Sequence, residues 1–453
     1  MDRYSTFHFE DCQWIPHGRK IVLRYSLDRE ISFEETLILP QENLRPDNEI
    51  DHNVTKRLLR ALHLIGGISY YKTCIPRTIA LDHGSLTQHE AGFWDWVYEN
   101  GLGQFFFQND IDFRGLIKFP WTKGTAPSIK LTATRLPLTA RRILIPIGGG
   151  KDSMVTLELL RKSGAHLSLL RLGGEHPVID ELAHAAGLPL LTVKRSLSDQ
   201  LFKLNSQGAL NGHIPITAYL SILSVLVAEL YGFDAVAMSN ESSASEGNIA
   251  YRGLTVNHQW SKSMEFELRF QRFLRETIGT TIEYFSALRP FTELKIAEMF
   301  SRFPQYFTRV TSCNANWKIS AQPQGDSLWC SRCPKCAFVF AILSAFHPRK
   351  TLDDIFGSIL FEDESLTPLF RELLGLENFK PFECVGTAEE TKAALLLAHR
   401  RGDLEDTAIM TMFVRDVLPT IADPEKLIQS TLNAPSRHCI PKQWEEWIVG
   451  NEL

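Results

Sequence analysis

The sequence has no basic surplus, no apolar run suited to a membrane, no export signal and no regular cysteine framework, and each absence narrows what it can do. Lys and Arg number 48 against 53 Asp and Glu, a formal net charge of −5. A surface built mainly for nucleic acid needs a basic stripe to displace counterions from phosphates, so tRNA is disfavoured as a substrate. A local pocket of Lys and Arg for a small anion remains compatible with that charge. The longest apolar stretch, Ile214 to Phe233, is interrupted by Thr217, Ser221, Ser224 and Glu229 and reads as a buried helix. Met1 to Glu10 holds no basic region followed by an apolar run, so a cytoplasmic protein is expected. Of eight cysteines, four lie between Cys313 and Cys336, while Cys12, Cys74, Cys384 and Cys439 are scattered. Without export, that clustering favours a metal over disulfides.

What remains is an ordinary globular chain of 453 residues, 44% hydrophobic and 22% charged, enough for two or three domains. Alternating runs at Lys20–Asp28 and Ile31–Leu39 predict a β-hairpin. Leu58, Leu62 and Ile65 recur at helical spacing after a cap at Asp51 or Asn53. Thr87-Gln-His-Glu90 is a capping box before a second helix, with Gly101 as its stop. Pro120 to Pro137 reads as a linker. Beyond it, apolar runs at Ile143–Ile147, His166–Leu172, Leu188–Val193 and Phe233–Met238 alternate with amphipathic stretches. That texture predicts an α/β fold: a parallel sheet with helices on both faces (138–350), preceded by a smaller α+β domain (1–137) and followed by a mainly helical region (351–453). Pro146 fits poorly in a central strand, because it cannot donate a ladder hydrogen bond.

The junction Ile143-Leu-Ile-Pro-Ile-Gly-Gly-Gly-Lys-Asp-Ser153 joins a strand to a helix through three glycines. Backbone N–H groups in such a turn converge on one spot, and the helix adds the positive end of its dipole there. A Walker loop would need glycine at Ile145, and a dinucleotide fingerprint is broken by Asp152 and Ser153. Gly148 to Ser153 instead resembles the S-G-G-x-D-S loop of PP-loop ATP pyrophosphatases, with Gly148 in place of the Ser. That resemblance implies cleavage of ATP between the α and β phosphates and activation of a carboxylate or carbonyl oxygen as an adenylate.

In an open α/β sheet the ligand lies beyond the carboxyl ends of the strands. Arg171-Leu-Gly173-Gly-Glu175, the polar stretch from Asn205 to Pro215 with His213, and Ser239 to Asn248 with Asn240, Glu241 and Glu246 therefore border the expected pocket. Gly173 is placed near the adenosine, and a carboxylate among Glu241 and Glu246 can help hold Mg²⁺. His258 and Lys262 form a further polar cluster, and Cys384 lies in Pro381-Phe-Glu-Cys-Val-Gly386. Cys313, Cys330, Cys333 and Cys336 have the spacing C-x16-C-x2-C-x2-C, which suits a closed, structural zinc site, with an iron–sulfur cluster as the rival.

Taken together, Gly148–Ser153, Gln207–His213, Met238–Glu241, Val256–Ser263, Cys330–Cys336 and Lys380–Gly386 resemble the bacterial UDP-N-acetylmuramoyl-L-alanyl-L-glutamate epimerases. Leu62–Lys72 and Asn100–Gly103 resemble that family as well, so the likeness covers nearly the whole chain. The cysteine arrangement is also similar to that of 7-cyano-7-deazaguanine synthases. The resemblance implies ATP- and Mg²⁺-dependent inversion of the terminal L-Glu of a UDP-linked muramoyl dipeptide in peptidoglycan precursor synthesis. It implies that Gly148, Gly149, Gly150, Lys151 and Ser153 bind pyrophosphate, with Asp152 at the metal or adenylation centre. His213, Asn240, Glu241, His258 and Lys262 would meet glutamate or its adenylate, and His213, His258, Cys384 and Lys72 all have the chemistry to move the Cα proton. The first domain would grip the UDP-sugar, and neither nucleic acid nor membrane is an expected partner; oligomeric state stays open. The alternative is another PP-loop amide or nitrile synthetase or a tRNA-modifying enzyme using adenylation.

Overall fold

The expected hairpin forms β2 (Lys20–Leu27) and β3 (Ile31–Ile38), closed by Asp28 and Arg29, whose φ angles of 49° and 59° both lie in the left-handed region. The computed structural model describes residues 4–124, 137–317, 328–377, 379–433 and 437–450, so most of the linker expected at Pro120 to Pro137 lies outside the described residues. Before the hairpin runs β1 (Thr6–Ile15), and after it β4 (Thr78–Leu81) pairs parallel with β1. The expected helix is His52–Gly66, with the Asp51 carboxylate accepting from the backbone of Asn53 and Val54. The capping box at Thr87 opens Gln88–Gly101.

The four expected runs of the second segment become β5 (Arg142–Pro146), β6 (His166–Leu172), β7 (Leu190–Ser196) and β8 (Ala235–Met238). A short hairpin, β9 (Ile249–Tyr251) and β10 (Leu254–Val256), follows, and then β11 (Glu283–Ser286). The large sheet has nine strands in the order β11-β8-β5-β6-β7-β3-β2-β1-β4. From β11 to β7 every pairing is parallel; β3 then joins β7 antiparallel through Thr36↔Ser196 and Ile38↔Lys194. One sheet therefore runs through both the amino-terminal part and the parallel part. Three of its strands are missing from the sequence reading, for physical reasons. A register shift between Phe9 and Asp11 breaks the two-residue period of β1, and β4 and β11 have four residues each.

Pro146 is accommodated because it is the last residue of β5. Pairing with β8 ends at Leu144, so the missing N–H falls where no partner strand needs it, while Ile147 N–H donates to Leu170 on the other side at 2.9 Å.

Side chains alternate between two cores. Ile143, Ile145, Leu167, Leu169, Ala235, Ala237 and Phe285 face the helices Lys151–Arg161, Pro334–Ser344 and Ala388–Arg401. Leu144, Leu170, Val236, Met238 and Tyr284 face the helix Ile216–Tyr231 and the aromatic-rich core of the first segment. Burial on both faces explains why the parallel strands read as continuous apolar runs. In Ile216–Tyr231, Ser221 and Ser224 donate to the carbonyls of Thr217 and Leu220 at 2.7 and 2.6 Å, which satisfies the hydroxyls inside the core. Among the described residues no helix is long and apolar enough to cross a membrane.

A polar knot fastens the two halves of the sheet. Glu35 on β3, with no exposure, accepts from Arg195 of β7 at 2.8 and 3.0 Å and from the hydroxyls of Tyr70 and Tyr219 at 2.9 and 2.7 Å. Nearby, buried His63 bonds the Arg24 carbonyl through Nε2 at 2.9 Å, and burial holds it down to about 4. Its folded value lies below the unfolded one, so it costs nothing above pH 6.5 and destabilises progressively as pH falls from 6.5 to about 4. In His63→Gln, the loss of stability between pH 7 and pH 4 should shrink by up to one proton's worth, on the order of 3 kcal/mol, measured by denaturant unfolding at both pH values. Equal losses in both proteins would refute this.

Candidate active site at the carboxyl edge of the parallel sheet

In the parallel half, β5 is flanked by β6 and β7 on one side and by β8 and β11 on the other. The chain direction of successive connections reverses between β5 and β8, and loops leaving these two strands diverge to leave a crevice. Gly148–Gly150 leave β5, Asn240 and Glu241 leave β8, and Glu293 follows β11. All three arrive at that crevice.

The glycine turn is sterically required at its centre. Gly149 has φ +83°, and a Cβ there would stand 2.6 Å from the Trp317 ring. Gly148 faces open space, and Gly150 caps the helix Lys151–Arg161 without any side chain, so the first N–H groups of that helix are left for an anion. Trp317 also stacks on His176 with ring centroids 4.3 Å apart, which places an aromatic pair over the glycine loop. Ser153 Oγ donates to the Gly150 carbonyl at 3.2 Å.

Lys151 is buried, with Nζ 2.5 Å from Asp152 Oδ1 and 2.5 Å from Glu293 Oε2. Asp152, Glu241 and Glu293 offer carboxylate oxygens that all lie within 4.8 Å of one another. Burial, reinforced by Asp152 and Glu241 and opposed by Lys151, pushes the Glu293 carboxyl up to about 8. Asp152 moves the other way: burial works against its charge, but Lys151, Lys262 and Lys335 outweigh it. Glu241 is 1% exposed, and its Oε1 has no hydrogen-bond partner among the described residues. Three clustered carboxylates with an orphaned buried oxygen fit a hard divalent cation such as Mg²⁺. Glu246 lies outside this group, and Glu293 enters it unforeseen. Glu293 escaped notice because the four-residue strand before it did.

The backbone that presents these groups is braced from below. Ser286 of β11 exchanges two hydrogen bonds with Asn240, at 2.6 and 2.9 Å. Arg289, 1% exposed, pairs with Glu267 at 2.9 Å and donates to the carbonyls of Glu241 and Lys262, both at 2.5 Å. Glu390, in the first turn of Ala388–Arg401, accepts from Ser243 Oγ and from the Glu293 backbone at 2.6 Å each. A carboxy-terminal helix thus holds the position of Glu293.

A second cluster lies beside the first. The negative groups Cys384, Glu241, Asp152 and Glu293 overcome burial and raise the Lys262 ammonium. Burial by itself would raise the Cys384 thiol, but Lys262 and Lys335 outweigh it and hold the thiol below its ordinary range. His213 and His258 pack with ring centroids 4.3 Å apart, and His258 Nδ1 meets Gln104 Oε1 at 2.6 Å. Burial, joined by Lys262, Lys335 and Lys380 against Glu383, holds His258 down at about 4; burial and His258 hold His213 down to about 3. Lys72, buried and lowered to about 8 for that reason, donates to Asn211 Oδ1 at 2.5 Å. Gln104 brings the first segment to His258, and Lys72 brings it to Asn211. Neither Gln104 nor Lys335 stands out in sequence.

Gly173, with φ +122° and open space around it, lies past the end of β6, while Arg171 turns to Asp180 and Thr192. On the other flank, Cys313, Cys330, Cys333 and Cys336 present sulfur atoms within 4.8 Å of one another, and none of the eight cysteines is in a disulfide. Four convergent thiols without a covalent partner fit a tetrahedral metal such as zinc. The knuckle abuts the site: Cys333 precedes the helix Pro334–Ser344, which carries Lys335, and Asn314 donates to Glu383 at 2.6 Å.

Residues 1–287 match the MurL N-terminal domain family and residues 309–427 the MurL C-terminal domain family. A UDP-N-acetyl-alpha-D-muramoyl-L-alanyl-L-glutamate epimerase of Xanthomonas oryzae pv. oryzae is 35% identical over 447 residues, spanning 99% of this chain and 97% of that protein. Proteins of the same name from Salinispora tropica and a Micromonospora species are 39% and 37% identical, each spanning 93% of this chain and 91% and 92% of their own.

Proposed function

Since this chain belongs to the MurL family, whose similar members are named UDP-N-acetyl-alpha-D-muramoyl-L-alanyl-L-glutamate epimerases, we propose that it inverts the terminal L-Glu of UDP-N-acetylmuramoyl-L-Ala-L-Glu to D-Glu through an acyl-adenylate made from ATP. The observation that carries the adenylation half is Lys151 set among Asp152, Glu241 and Glu293 at the mouth of an uncapped, glycine-entered helix. On this reading residues 138–350 carry a PP-loop nucleotide site, residues 1–137 hold the UDP-sugar and the mainly helical residues 351–453 add Cys384 and the brace at Glu390.

An ionised carboxylate resists loss of its α-proton, because the carbanion would place a second negative charge beside the first. Joining the α-carboxylate to AMP cancels that charge and lets the carbonyl oxygen accept the electrons as an enolate. Gly148–Gly150, Lys151 and Ser153 receive the phosphates. Asp152, Glu241 and Glu293 would hold Mg²⁺, which supplies charge neutralisation for the polyphosphate. Asn240 and Lys262 face the acyl end, and Gly173 borders the adenosine. Proton removal from Cα and return on the other face fall to Cys384, with its thiol ionising more readily than usual, to His258 or His213, held neutral, or to Lys72, each capable of general acid–base work. Hydrolysis of the D-configured adenylate then gives product and AMP.

The assay is incubation with ATP, Mg²⁺ and the UDP-dipeptide, followed by chirality of the released glutamate and analysis of nucleotides. D-Glu together with AMP and pyrophosphate is the expected result. ADP in place of AMP overturns the adenylate, and AMP without D-Glu overturns the epimerase assignment.

A further inference from the structure

Three of the amines already named have hydrogen-bond partners: buried Lys151 has Asp152 and Glu293, buried Lys72 has Asn211, and partly buried Lys262 has Gln259 at 3.5 Å. Lys380 differs. Its Nζ is out of contact with solvent and has no hydrogen-bond partner among the described residues. Its position is nevertheless fixed, because Asn248 donates to the carbonyls of Lys380 and Pro381 at 3.0 and 2.9 Å while accepting from the His258 backbone N–H at 2.8 Å. One amide side chain thus ties Lys380 to His258, and the charge of Lys380 is felt at both His258 and Glu246. On the outer side, Phe379 and Phe382 pack against each other and against Phe107, with centroids 5.3 to 6.1 Å apart, and form an aromatic rim. An ammonium shielded from water without a hydrogen-bond partner is unfavourable, and a bound anion would offset that cost.

We propose that Lys380 receives the γ-carboxylate of the terminal glutamate and thereby selects glutamate over glutamine, an inference that rests on the epimerase reading above. The substrate offers three anionic groups. Its α-carboxylate is consumed at the glycine loop, beside Lys151. The diphosphate lies beyond the muramic acid and the alanine. The γ-carboxylate is three bonds from the Cα whose proton must be moved, and it belongs next to the cluster of His258, His213 and Cys384. An amide in its place could still accept a hydrogen bond through its carbonyl oxygen but would leave the charge of the ammonium uncompensated, and a site built around such an ion pair discriminates against the neutral analogue.

The test is equilibrium binding of UDP-N-acetylmuramoyl-L-Ala-L-Glu, its terminal L-Gln analogue and the nucleotide-free N-acetylmuramoyl-L-Ala-L-Glu to wild type, Lys380→Gln and Lys380→Arg. Wild type should bind the Gln analogue about 10- to 100-fold more weakly than the Glu compound. Lys380→Gln should lose most of that preference by weakening for Glu only, and Lys380→Arg should keep it. ATP binding that matches wild type in Lys380→Gln will show that the fold survives. Undiminished preference for Glu in Lys380→Gln overturns the proposal. A penalty that vanishes with the nucleotide-free ligand also overturns it, because Lys380 would then serve the diphosphate. Wild type that binds none of the three compounds overturns the epimerase reading itself, whereas wild type that binds Glu and Gln compounds equally removes only the role of Lys380.

Discussion

Replacing Lys151 with Met should lower the rate of AMP and pyrophosphate formation by at least about 10²- to 10³-fold, with little change in the folded state. The rate effect follows from position. Lys151 opens the helix Lys151–Arg161 immediately after Gly150, so on the proposed adenylation its ammonium would stand where phosphate charge accumulates as the α–β bond breaks. A preorganised cation in a site walled from water costs no reorganisation at the moment of reaction. Stability is affected less, because burial already favours the neutral form of Glu293 and removal of the Lys151 cation favours it further, so that no unpaired negative charge is left there. Steady-state assays at saturating ATP and Mg²⁺, paired with thermal unfolding of both proteins, check the prediction. A loss below about 10-fold would remove Lys151 from the chemistry and leave it as a counter-ion to Asp152 and Glu293.

The second large effect is expected at the cysteine knuckle. Cys333→Ser should reduce bound zinc from one equivalent to nearly none and lower the unfolding temperature sharply, since structural zinc contributes on the order of 10 kcal/mol to small domains that fold around it. Activity should fall with it. Cys333 sets the start of Pro334–Ser344, so Lys335 would lose its place opposite Asp152, Cys384 and His258, and the Asn314 contact to Glu383 would loosen. Elemental analysis and the visible spectrum distinguish the two metals that suit four thiolates, because zinc thiolates are colourless and iron–sulfur clusters absorb strongly. Full stability and activity in metal-free wild type would refute a structural metal here.

Features encoded over short stretches are legible without a structure. Gly148 to Ser153 announces a glycine-entered helix start because the steric need for glycine and the dipole of a helix act within six neighbouring residues. Cys330, Cys333 and Cys336 announce a thiol cluster that could hold a metal because their spacing lets one turn converge them, and the expected fourth cysteine, Cys313, joins them. Asp51, Thr87 and the Lys20–Leu39 hairpin are read as easily, since capping and strand alternation are local.

Long-range pairing decided the rest. Glu293 reaches Lys151 across 142 residues of chain, carried there by a four-residue strand too short to show a period. Arg289 braces two loops through their carbonyls, and carbonyl partners leave no trace in sequence because every residue has one. Likewise, the pairing of β3 with β7 merges two segments that composition separates, and Lys380 looks like any surface lysine until Asn248 draws its backbone to His258. The sequence alone determined six strands of the large sheet, the caps, the glycine turn and the cysteine spacing, each of which satisfies its own energetics nearby. Only the tertiary structure decided which charges share the crevice, because burying them together is stable only once distant elements have closed around them and excluded water.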